Sequence, residues 1–320
     1  MEINWKWVAV GVTAGVGIFV IKRYMAGGVC RSRALMTGKT VIVTGANCGI
    51  GKATATELAK RRARVILACR DLDKANAAVK DIRSQTDQGV LIVKTLDLAS
   101  FRSIKEFAAQ VIKEEPRIDV LINNAGVYGC PFARTEDGLE IQMGVNHFGH
   151  FLLTNLLLDK LKSSAPSRVV VVSSGLHKYG KIDFENFNSE EGYDGEAAYK
   201  NSKLANNLFA RELTCRLEGT GVSIYCLRPG MVRSNLGRHV QMPLVVRVLG
   251  YFLGWLLVKS PYEGCQTVLH CAIAEEVEGV SGNFYGNCKQ EEWTSVSLDD
   301  EKAKNLWEVS ERLTKLKSAV

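Results

Sequence analysis

Residues 40–51 read TVIVTGANCGIG, and this stretch decides the fold. An apolar run typical of a buried strand passes directly into a loop that contains Gly45, Gly49 and Gly51, and a helix is predicted over roughly 50–61. Glycine permits a tight turn and lets the backbone approach a pyrophosphate at the N-terminus of the following helix. The stretch therefore predicts a dinucleotide-binding strand–loop–helix unit.

Further apolar runs follow at regular intervals, each separated from the next by a helical pattern. They are ARVILACR (63–70), VLIVKTLDL (90–98), IDVLINNAG (118–126), SRVVVVSS (167–174) and VSIYCLRPG (222–230). Continuous Val, Ile and Leu runs between helices predict a parallel sheet that is covered on both faces. We expect a Rossmann-like doubly wound α/β fold with ligands at the carboxyl ends of its strands.

The end of the chain adds two elements to this prediction. The run GNFYG at 282–286 predicts a late strand, which brings the sheet to about seven strands. A C-terminal helix with apolar residues at helical spacing is predicted after Asp299, and we expect it to pack on the edge of the sheet.

The composition excludes several functional classes. The chain has 320 residues, of which 46% are apolar, enough for a buried core. Its net charge of +7 is a mild excess without a basic stripe or zinc-finger spacing, so no nucleic-acid partner is expected. None of the nine cysteines forms a CxxC pair, which indicates a reducing compartment. His147 and His150 are spaced like metal ligands but have no further ligand nearby, so no metal site is expected.

The N-terminal region predicts a membrane anchor. Residues 7–21 read WVAVGVTAGVGIFVI, with aromatic residues on both sides and basic residues after the run. The excess of Lys and Arg after the run places the following domain in the cytoplasm. We expect an anchor over 1–25, a linker over 26–38 and a catalytic domain over 39–320. A mitochondrial presequence and a helix lying on the membrane surface are the alternatives.

The end of the second predicted strand bears on the choice of cofactor, because an adenosine ribose would lie there. Arg70 has the planar fork that suits a 2′-phosphate, and Lys52 adds positive charge in the glycine loop. Asp71 could instead accept from a 2′-hydroxyl. These residues favour NADP(H) over NAD(H). Asp97, after the third strand, could accept from the adenine amino group or begin a helix.

Four motifs occur in one order along the chain: TGANCGIG (44–51), NNAG (123–126), VVSS (171–174), and YKNSK (199–203) followed by RPG (228–230). A tyrosine four residues before a lysine is weak evidence alone, but the ordered set resembles the short-chain dehydrogenase/reductase family over about residues 38–290. The departures from its pattern are Cys48, where Ser or Thr is usual, and Ser234, where Thr is usual.

The resemblance implies a role for each motif residue. Tyr199 would exchange the proton, Lys203 would lower the pKa of Tyr199 and hold the nicotinamide ribose, and Ser174 would bind the substrate carbonyl, with Ser173 as the alternative. Asn146 would support a water relay to the lysine, or would be a packing amide. The implied cofactor-binding residues are Gly45, Asn47, Cys48, Gly49, Ile50, Gly51, Arg70, Asp97, Leu98, Asn124, Ala125, Gly126, Tyr199, Lys203, Pro229, Gly230, Val232 and Ser234.

Within the family, the chain is most similar to the membrane-anchored retinol dehydrogenases of types 11 to 14, and to type 14 before type 13. ILACRD (66–71), SKLAN (202–206) and EVEGVSGNFYGNCKQEE (276–292) are among the stretches that carry this likeness. It implies NADPH-preferring interconversion of retinal and retinol at the endoplasmic reticulum membrane, with a mitochondrial membrane as the alternative. It also implies a homodimer through the Tyr199 helix and its neighbour. Other lipophilic substrates such as steroids, and a non-enzymatic NADPH-binding membrane scaffold, are the competing hypotheses.

The apolar stretch after the sixth strand predicts a cover for the substrate. Residues 240–258 read VQMPLVVRVLGYFLGWLLV, interrupted by Arg247. We expect an apolar substrate lid over about 235–262, formed by one or two short helices that cover a lipophilic pocket and touch the bilayer surface. A core helix or a dimer face is the alternative for this stretch.

Overall fold

The computed structural model describes residues 5–189, 192–237 and 254–316. Its centre is a sheet of eight strands in the order β3-β2-β1-β4-β5-β6-β7-β8, parallel except for β8. The strands are β1 (Thr40–Thr44), β2 (Arg64–Cys69), β3 (Val90–Thr95), β4 (Val120–Asn123), β5 (Ser167–Val172), β6 (Val222–Arg228), β7 (Asn283–Gly286) and β8 (Lys289–Glu291). The parallel, Rossmann-like α/β fold is therefore as predicted.

The structure gives the bounds of eight α-helices, and residues 254–257 are helical as well. The eight helices are α1 (Trp5–Ala26), α2 (Gly49–Lys60), α3 (Leu72–Arg83), α4 (Phe101–Glu114), α5, α6 (Gly195–Arg216), α7 (Pro261–Ile273) and α8 (Asp300–Thr314). Helix α5 has three consecutive sections: Ile141–Met143, a π-helical turn at Gly144–Phe148, and Gly149–Ser163. The helix predicted over roughly 50–61 agrees with α2 to within one residue.

Two apolar layers, one on each face of the sheet, form the core. One layer joins the sheet to α4, α5, α6 and α8, and the other joins it to α2, α3 and α7. Strand β1 contributes to both, because Ile42 packs in the first layer while Val41 and Val43 pack in the second. This burial on both faces is what the continuous apolar runs predict.

The strand order reverses between β1 and β4, which lie side by side although two strands separate them in sequence. In doubly wound sheets, a crevice forms at the carboxyl ends of the strands at such a point. The glycine loop after β1 and the NNAG turn after β4 both lie there. The fold therefore brings two of the four sequence motifs together.

The eighth strand corrects the predicted count of about seven. Strand β8 pairs antiparallel with β7 through a two-residue turn in which Asn287 and Cys288 both have positive φ angles, 53° and 57°. Such turns match the twist of a hairpin. The sequence gives little warning of β8, because the residues of Lys289–Glu291 are all polar and cysteine is not a typical turn residue.

The position of the C-terminal helix also differs from the prediction. Helix α8 exists, but it packs on α5 and α6 and not on the edge of the sheet. The Trp307 ring lies against Phe151 and Phe209, with centroid distances of 4.9 Å and 5.9 Å. Helix α8 thus packs on the Tyr199 helix and on its neighbour α5, and the homodimer through these helices stays a prediction.

The segment between α1 and β1 is fixed to the catalytic domain. The Cys30 backbone donates to Gln266 Oε1 of α7 at 3.1 Å, and the Met36 backbone donates to the Arg61 carbonyl after α2 at 2.7 Å. Lys22, near the end of α1, pairs with Glu263 at 3.1 Å. The predicted linker is therefore a packed strap along α7.

The described part of the chain contains no helix whose length and apolar content together suffice to cross a membrane. The predicted lid falls mainly on residues 238–253, which lie outside the described residues. The short stretch before Lys259 is described, and Lys259 forms a parallel bridge with Val232.

Candidate active site

Helix α6 carries the tyrosine and lysine of the YKNSK motif, and both side chains are buried. The Tyr199 hydroxyl lies near the side chain of Ser174, which follows β5. Burial raises the pKa of Tyr199 to about 12, and the nearby Ser174 hydroxyl opposes this rise. The two hydroxyls that the sequence assigned to a substrate oxygen therefore lie together.

Lys203 lies one helical turn beyond Tyr199. Its ammonium Nζ donates to the Val172 carbonyl at 3.0 Å and lies 5.6 Å from the centroid of the Tyr199 ring. Burial lowers the pKa of Lys203 to about 8. The rise in the pKa of Tyr199 comes from burial, and the lowering expected from Lys203 together with a bound nicotinamide stays a prediction.

The serine pair after β5 divides into two positions. Ser173 Oγ donates to the Lys203 carbonyl at 2.9 Å, so this hydroxyl links β5 to the backbone of α6. Ser174 Oγ accepts from the Leu176 backbone at 3.2 Å and meets Tyr199. The geometry favours Ser174 as the residue that faces a substrate.

Asn146 lies in the π-helical turn of α5 and is fully buried. Its Oδ1 accepts from the Val127 backbone at 2.8 Å, and its Nδ2 donates to the Val127 carbonyl and to Ser202 Oγ at 3.0 Å and 2.9 Å. A Cβ on Gly126 would lie 3.2 Å from Asn146 Oδ1 and 3.7 Å from Lys203 Nζ. The side-chain amide of Asn146 thus holds the chain after NNAG against α6.

The NNAG turn is tied to the start of the glycine loop. Asn124 and Ala125 both donate their backbone N–H groups to Thr44 Oγ1 at 2.9 Å, and Asn124 Nδ2 donates to the Thr44 carbonyl at 2.8 Å. Gly45 has a positive φ of 67°, and a Cβ there would lie 3.0 Å from Ala125. These contacts hold two predicted cofactor-binding segments at a fixed separation.

The start of α2 has the features of a phosphate site. Its N-cap residue, Cys48, makes no side-chain hydrogen bond to the first turn, so no side chain satisfies the N–H groups there. Gly49 has a φ of 56°, and Gly51 packs so closely on Gly45 and Asn124 that only glycine fits. Burial raises the pKa of the Cys69 thiol of β2 to about 11, and the nearby Asn47 backbone opposes this rise. A pyrophosphate fits such an open helix N-terminus.

The segment after RPG reaches the same place. A Cβ on Gly49 would lie 3.2 Å from Ser234 Cβ, and a Cβ on Gly264 of α7 would meet both Val232 and Ile50. Pro229 is buried, while Gly230 is exposed with a φ of 88°. A pocket of about 480 Å³ lies beside these residues and is lined by Cys48, Gly49, Ser234 and the start of α7.

The two residues that bear on cofactor preference differ in their contacts. Asp71 caps α3 by accepting from the Lys74 backbone at 3.0 Å, and its carboxylate pairs with Lys74 Nζ at 2.6 Å. Arg70 is exposed and makes no hydrogen bond or ion pair within residues 5–189, 192–237 and 254–316. Lys52 pairs with Asp81 at 2.8 Å, so the charge expected near the phosphates is partly neutralised.

Asp97 and Leu98 lie in the loop after β3. Asp97 Oδ1 accepts from the Ala99 backbone at 3.0 Å, which is a local turn contact, while Ser100 is the N-cap of α4. Leu98 is buried, and its carbonyl would meet a Cβ on Gly149 of α5. The geometry places both residues at the carboxyl end of the sheet and leaves the adenine role of Asp97 as a prediction.

Sequence reasoning missed the residues that shape the site around Tyr199. Tyr128 packs edge-on against Tyr199 with a centroid distance of 4.6 Å. Buried Gln142 accepts from the Gly129 backbone at 3.0 Å and donates to the Tyr193 hydroxyl at 2.9 Å. Tyr193 in turn donates to the Cys130 carbonyl at 2.7 Å. No motif marks these residues, since they are brought together by contacts far apart in sequence.

The histidine pair does not form a metal site. His147 bonds Ser310 of α8 at 2.9 Å, whereas His150 bonds Thr44 of β1 at 2.9 Å, so the two rings engage different elements. Within the described residues, no group of three or more His, Cys, Asp or Glu side chains is placed to hold a metal ion.

Comparison with protein families supports the reading of the motifs. Residues 39–243 match the family model described as short chain dehydrogenase. The chain is 54% identical over 287 residues to retinol dehydrogenase 14 of Mus musculus, with 87% of this chain and 86% of the relative covered. It is 51% identical over 314 residues to retinol dehydrogenase 13 of Homo sapiens, with 97% and 94% covered.

Solved structures show the same fold. An uncharacterized protein from Mycobacterium Paratuberculosis matches with a TM-score of 0.72 and 34% identity, over 92% of this chain and 100% of that one. A Beutenbergia cavernae protein described as an NAD(P)-dependent gluconate 5-dehydrogenase, solved with NADP at low occupancy, matches with a TM-score of 0.62. This second match is 22% identical and covers 79% of this chain and 96% of that one. It therefore supports only the fold.

Proposed function

The chain belongs to the short-chain dehydrogenase family, and on that premise we propose that it is an NADP(H)-dependent oxidoreductase that interconverts retinal and retinol. The observation that carries the proposal is that the Tyr199 hydroxyl lies near the Ser174 side chain, with Lys203 Nζ 5.6 Å from the centroid of the tyrosine ring. Two hydroxyls at one point can both bond a single carbonyl oxygen. When bound, the nicotinamide cofactor supplies or accepts the hydride.

The protonation state of Tyr199 is the one that reduction of an aldehyde requires. A carbonyl that gains a hydride becomes an alkoxide and needs a proton. Because the pKa of Tyr199 is raised to about 12, the phenol is protonated at neutral pH and holds that proton. Lys203, whose pKa is lowered to about 8, is still mostly charged at pH 7 and stabilises the phenolate that remains. Ser174 orients the oxygen.

The contacts of Asp71 support NADP(H) as the cofactor. Its carboxylate is already used by the N-terminus of α3 and by Lys74, so it is poorly placed to accept from a ribose hydroxyl. The neighbouring Arg70 guanidinium is exposed at the carboxyl end of β2 and is suited to a 2′-phosphate. NAD(H) is the less favoured cofactor.

Two observations support a lipophilic substrate. The relatives that are about half identical to the chain are named retinol dehydrogenases. On both sides of residues 238–253, large apolar side chains are exposed: Met231 at 68%, Trp255 at 59% and Leu257 at 41%. We propose that this surface belongs to the lid region and contacts apolar substrate or lipid.

We also propose that the N-terminal region holds the enzyme at a membrane. The described side chains of α1 leave Phe19 70% exposed and Tyr24 81% exposed. A helix with exposed apolar side chains followed by basic residues suits a lipid surface. The proposed location is the endoplasmic reticulum membrane with the catalytic domain in the cytosol, and a mitochondrial membrane is the alternative.

The test is turnover of all-trans-retinal by the full chain in detergent, with NADPH and NADH in parallel. We expect NADPH to be preferred and Tyr199→Phe to lower kcat by about 10²–10⁴-fold. Tyr225→Phe is the matched control, because Tyr225 is a buried tyrosine whose hydroxyl donates to the Val277 carbonyl away from the site. An Arg70→Ala variant should weaken NADPH binding about tenfold and NADH binding much less.

Each part of the proposal has its own contradicting result. Preference for NADH would overturn the roles given to Arg70 and Asp71. Tight NADPH binding without turnover of retinal would reject the retinoid and direct the search to steroids or other lipophilic carbonyls. Full activity of Tyr199→Phe would reject the assigned proton donor.

A further inference from the structure

His150 connects two hydrogen-bond clusters that belong to different parts of the site. The ring is buried on α5, with Nε2 at 2.9 Å from Thr44 Oγ1 and Nδ1 at 3.0 Å from the Asn146 carbonyl. Thr44 holds the NNAG turn on the cofactor side. Asn146 holds Val127 and Ser202 on the catalytic side.

The hydrogen bonds of His150 allow only one tautomer. The Asn146 carbonyl can only accept, so Nδ1 must carry a hydrogen and donate it. Burial, together with the nearby charge of Lys203, lowers the pKa of His150 to about 4, so the ring is neutral at pH 7. Nε2 of a neutral ring with hydrogen on Nδ1 must accept. Thr44 therefore donates its hydroxyl hydrogen to His150.

This donation completes the bonding of Thr44. A hydroxyl has one hydrogen and two lone pairs. The hydrogen goes to His150 Nε2 at 2.9 Å and not to the Ile122 carbonyl, which is 3.3 Å away. Both lone pairs are then directed to the N–H groups of Asn124 and Ala125. An acceptor at Nε2 thus fixes the hydroxyl that orients the NNAG turn.

The other side of the ring bears on the catalytic helix. The Asn146 carbonyl lies in the π-helical turn, where the regular helical pattern of hydrogen bonds is interrupted. His150 Nδ1–H holds that carbonyl, while the Asn146 side chain bonds Ser202 Oγ, which itself donates to the Tyr199 carbonyl at 2.8 Å. The chain of contacts runs from His150 to the backbone of the proton donor.

We propose that His150 is a positioning residue that holds the cofactor-binding turn through Thr44 and the Tyr199 helix through Asn146. The inference rests on the proposed function and deepens it, because it names the side chain that holds the cofactor-binding turn and the Tyr199 helix at a fixed separation. His150 touches neither substrate nor reacting atoms and acts only through its two partners.

The two arms of His150 can be removed one at a time in the full chain. Asparagine places a donor near the position of Nδ1 and has nothing at Nε2, whereas glutamine reaches the position of Nε2 with an acceptor and lacks the donor at Nδ1. We expect His150→Asn to raise the NADPH Kd about tenfold and to lower kcat less than threefold. We expect His150→Gln to lower kcat about tenfold and to raise the Kd less than threefold.

His147 supplies the matched control. It is a buried histidine three residues earlier on α5, and its ring bonds Ser310 of α8, remote from the cofactor turn. His147→Phe should lower Tm and change the NADPH Kd and kcat less than twofold. His150→Phe should lose both arms and show both defects together.

A direct readout does not depend on turnover. Selective ¹⁵N-histidine labelling should show His150 with hydrogen on Nδ1 and a bare Nε2, and the opposite tautomer would overturn the proposal. So would equal Kd values for His150→Asn and His150→Gln, or changes no larger than those of His147→Phe. Failure of the wild type to reduce retinal would reject the proposed function alone, since NADPH binding and the tautomer still test His150.

Discussion

Two helix N-termini line the same pocket of about 480 Å³, and they are built in opposite ways. Helix α7 begins with a complete capping box, in which Ser260 accepts from the Glu263 backbone and Glu263 accepts from the Ser260 backbone, with proline in the first turn. Helix α2 begins at Cys48 with no side-chain cap. One end satisfies its own N–H groups, and the other leaves them for a ligand.

The remaining helices show that α2 is the exception. From α3 to α8, each helix has an N-cap side chain that accepts from its first turn, namely Asp71, Ser100, Glu140, Asp194, Ser260 and Asp299. A missing cap costs about 1 kcal/mol of stability. Helices α3 to α8 are all capped, whereas the start of α2 is not. The free N–H groups at the start of α2 are therefore suited to bind an anion.

The largest expected effect comes from moving the start of α2. A Cβ on Gly51 would collide with the Gly45 carbonyl and would lie 2.6 Å from Asn124 Nδ2, so the first turn must shift. We expect Gly51→Ala to raise the NADPH Kd at least 100-fold in a titration followed by fluorescence. Gly237→Ala, where a Cβ meets nothing within 4 Å, should leave the Kd unchanged. Unchanged binding by Gly51→Ala would remove α2 from the cofactor site.

A side-chain cap introduced at the start of α2 should stabilise the protein and weaken its binding of NADPH. In Cys48→Asp, the carboxylate can accept from the first turn and oppose phosphate charge there. We expect Tm without cofactor to rise about 2 °C and the NADPH Kd to rise at least tenfold. Cys48→Ser adds a neutral hydroxyl and should keep the Kd within threefold. If the aspartate left NADPH binding unaffected, the comparison between α2 and α7 would fail.

The cap of α7 should behave in the reverse manner. Ser260→Ala removes the side chain that accepts from Glu263 at 3.2 Å. We expect a loss of about 1 kcal/mol, seen as a Tm lower by about 2 °C, with the NADPH Kd within twofold. Thermal unfolding and titration of the same preparation test both statements, and a large loss of NADPH affinity would contradict the second.

The smallest expected effect depends on pH. Burial raises the pKa of Glu263, but hydrogen bonds from Ser260 and Lys22 and the charge of Lys22 outweigh it, so the net shift is downward. A carboxyl group with a lowered pKa adds stability above about pH 4.5, and that contribution is lost as the pH falls through the lowered value. Glu263→Gln should therefore unfold about 1–2 °C below wild type at pH 7, and the gap should narrow toward pH 4. A gap that widened in acid would contradict this sign.

Local patterns in the sequence were enough for most of the fold. Apolar runs such as TVIVTG are long and continuous, so the sequence locates the strands that are buried on both faces. The hairpin strand Lys289–Glu291 is not predicted, because it contains no apolar residues whose alternation would indicate a strand. The C-terminal helix is predicted, but its position is wrong. The spacing of Leu306 and Trp307 indicates that one face of the helix is buried, but it does not identify the elements that cover that face.

The candidate site divides in the same way. Motif residues such as Tyr199 and Lys203 are separated by one helical turn, a spacing that sequence reasoning can interpret. The contact of Tyr193 with Cys130 spans 63 residues, and that of His150 with Thr44 spans 106. No local rule links positions so far apart. His147 and His150 resemble a ligand pair by spacing, yet the π-helical turn that contains His147 alters their angular separation.

The cover that α8 places over α5 and α6 has a consequence for how the protein responds to dilution. The Arg216 guanidinium lies 4.2 Å from the Trp307 ring, and Arg211 pairs with Asp300, so the contact combines apolar and charged groups. Because α8 is joined to the sheet by a few residues after β8, it meets this surface at a fixed effective concentration. The packing of α8 on the Tyr199 helix is therefore intramolecular, and dilution of the protein does not weaken it.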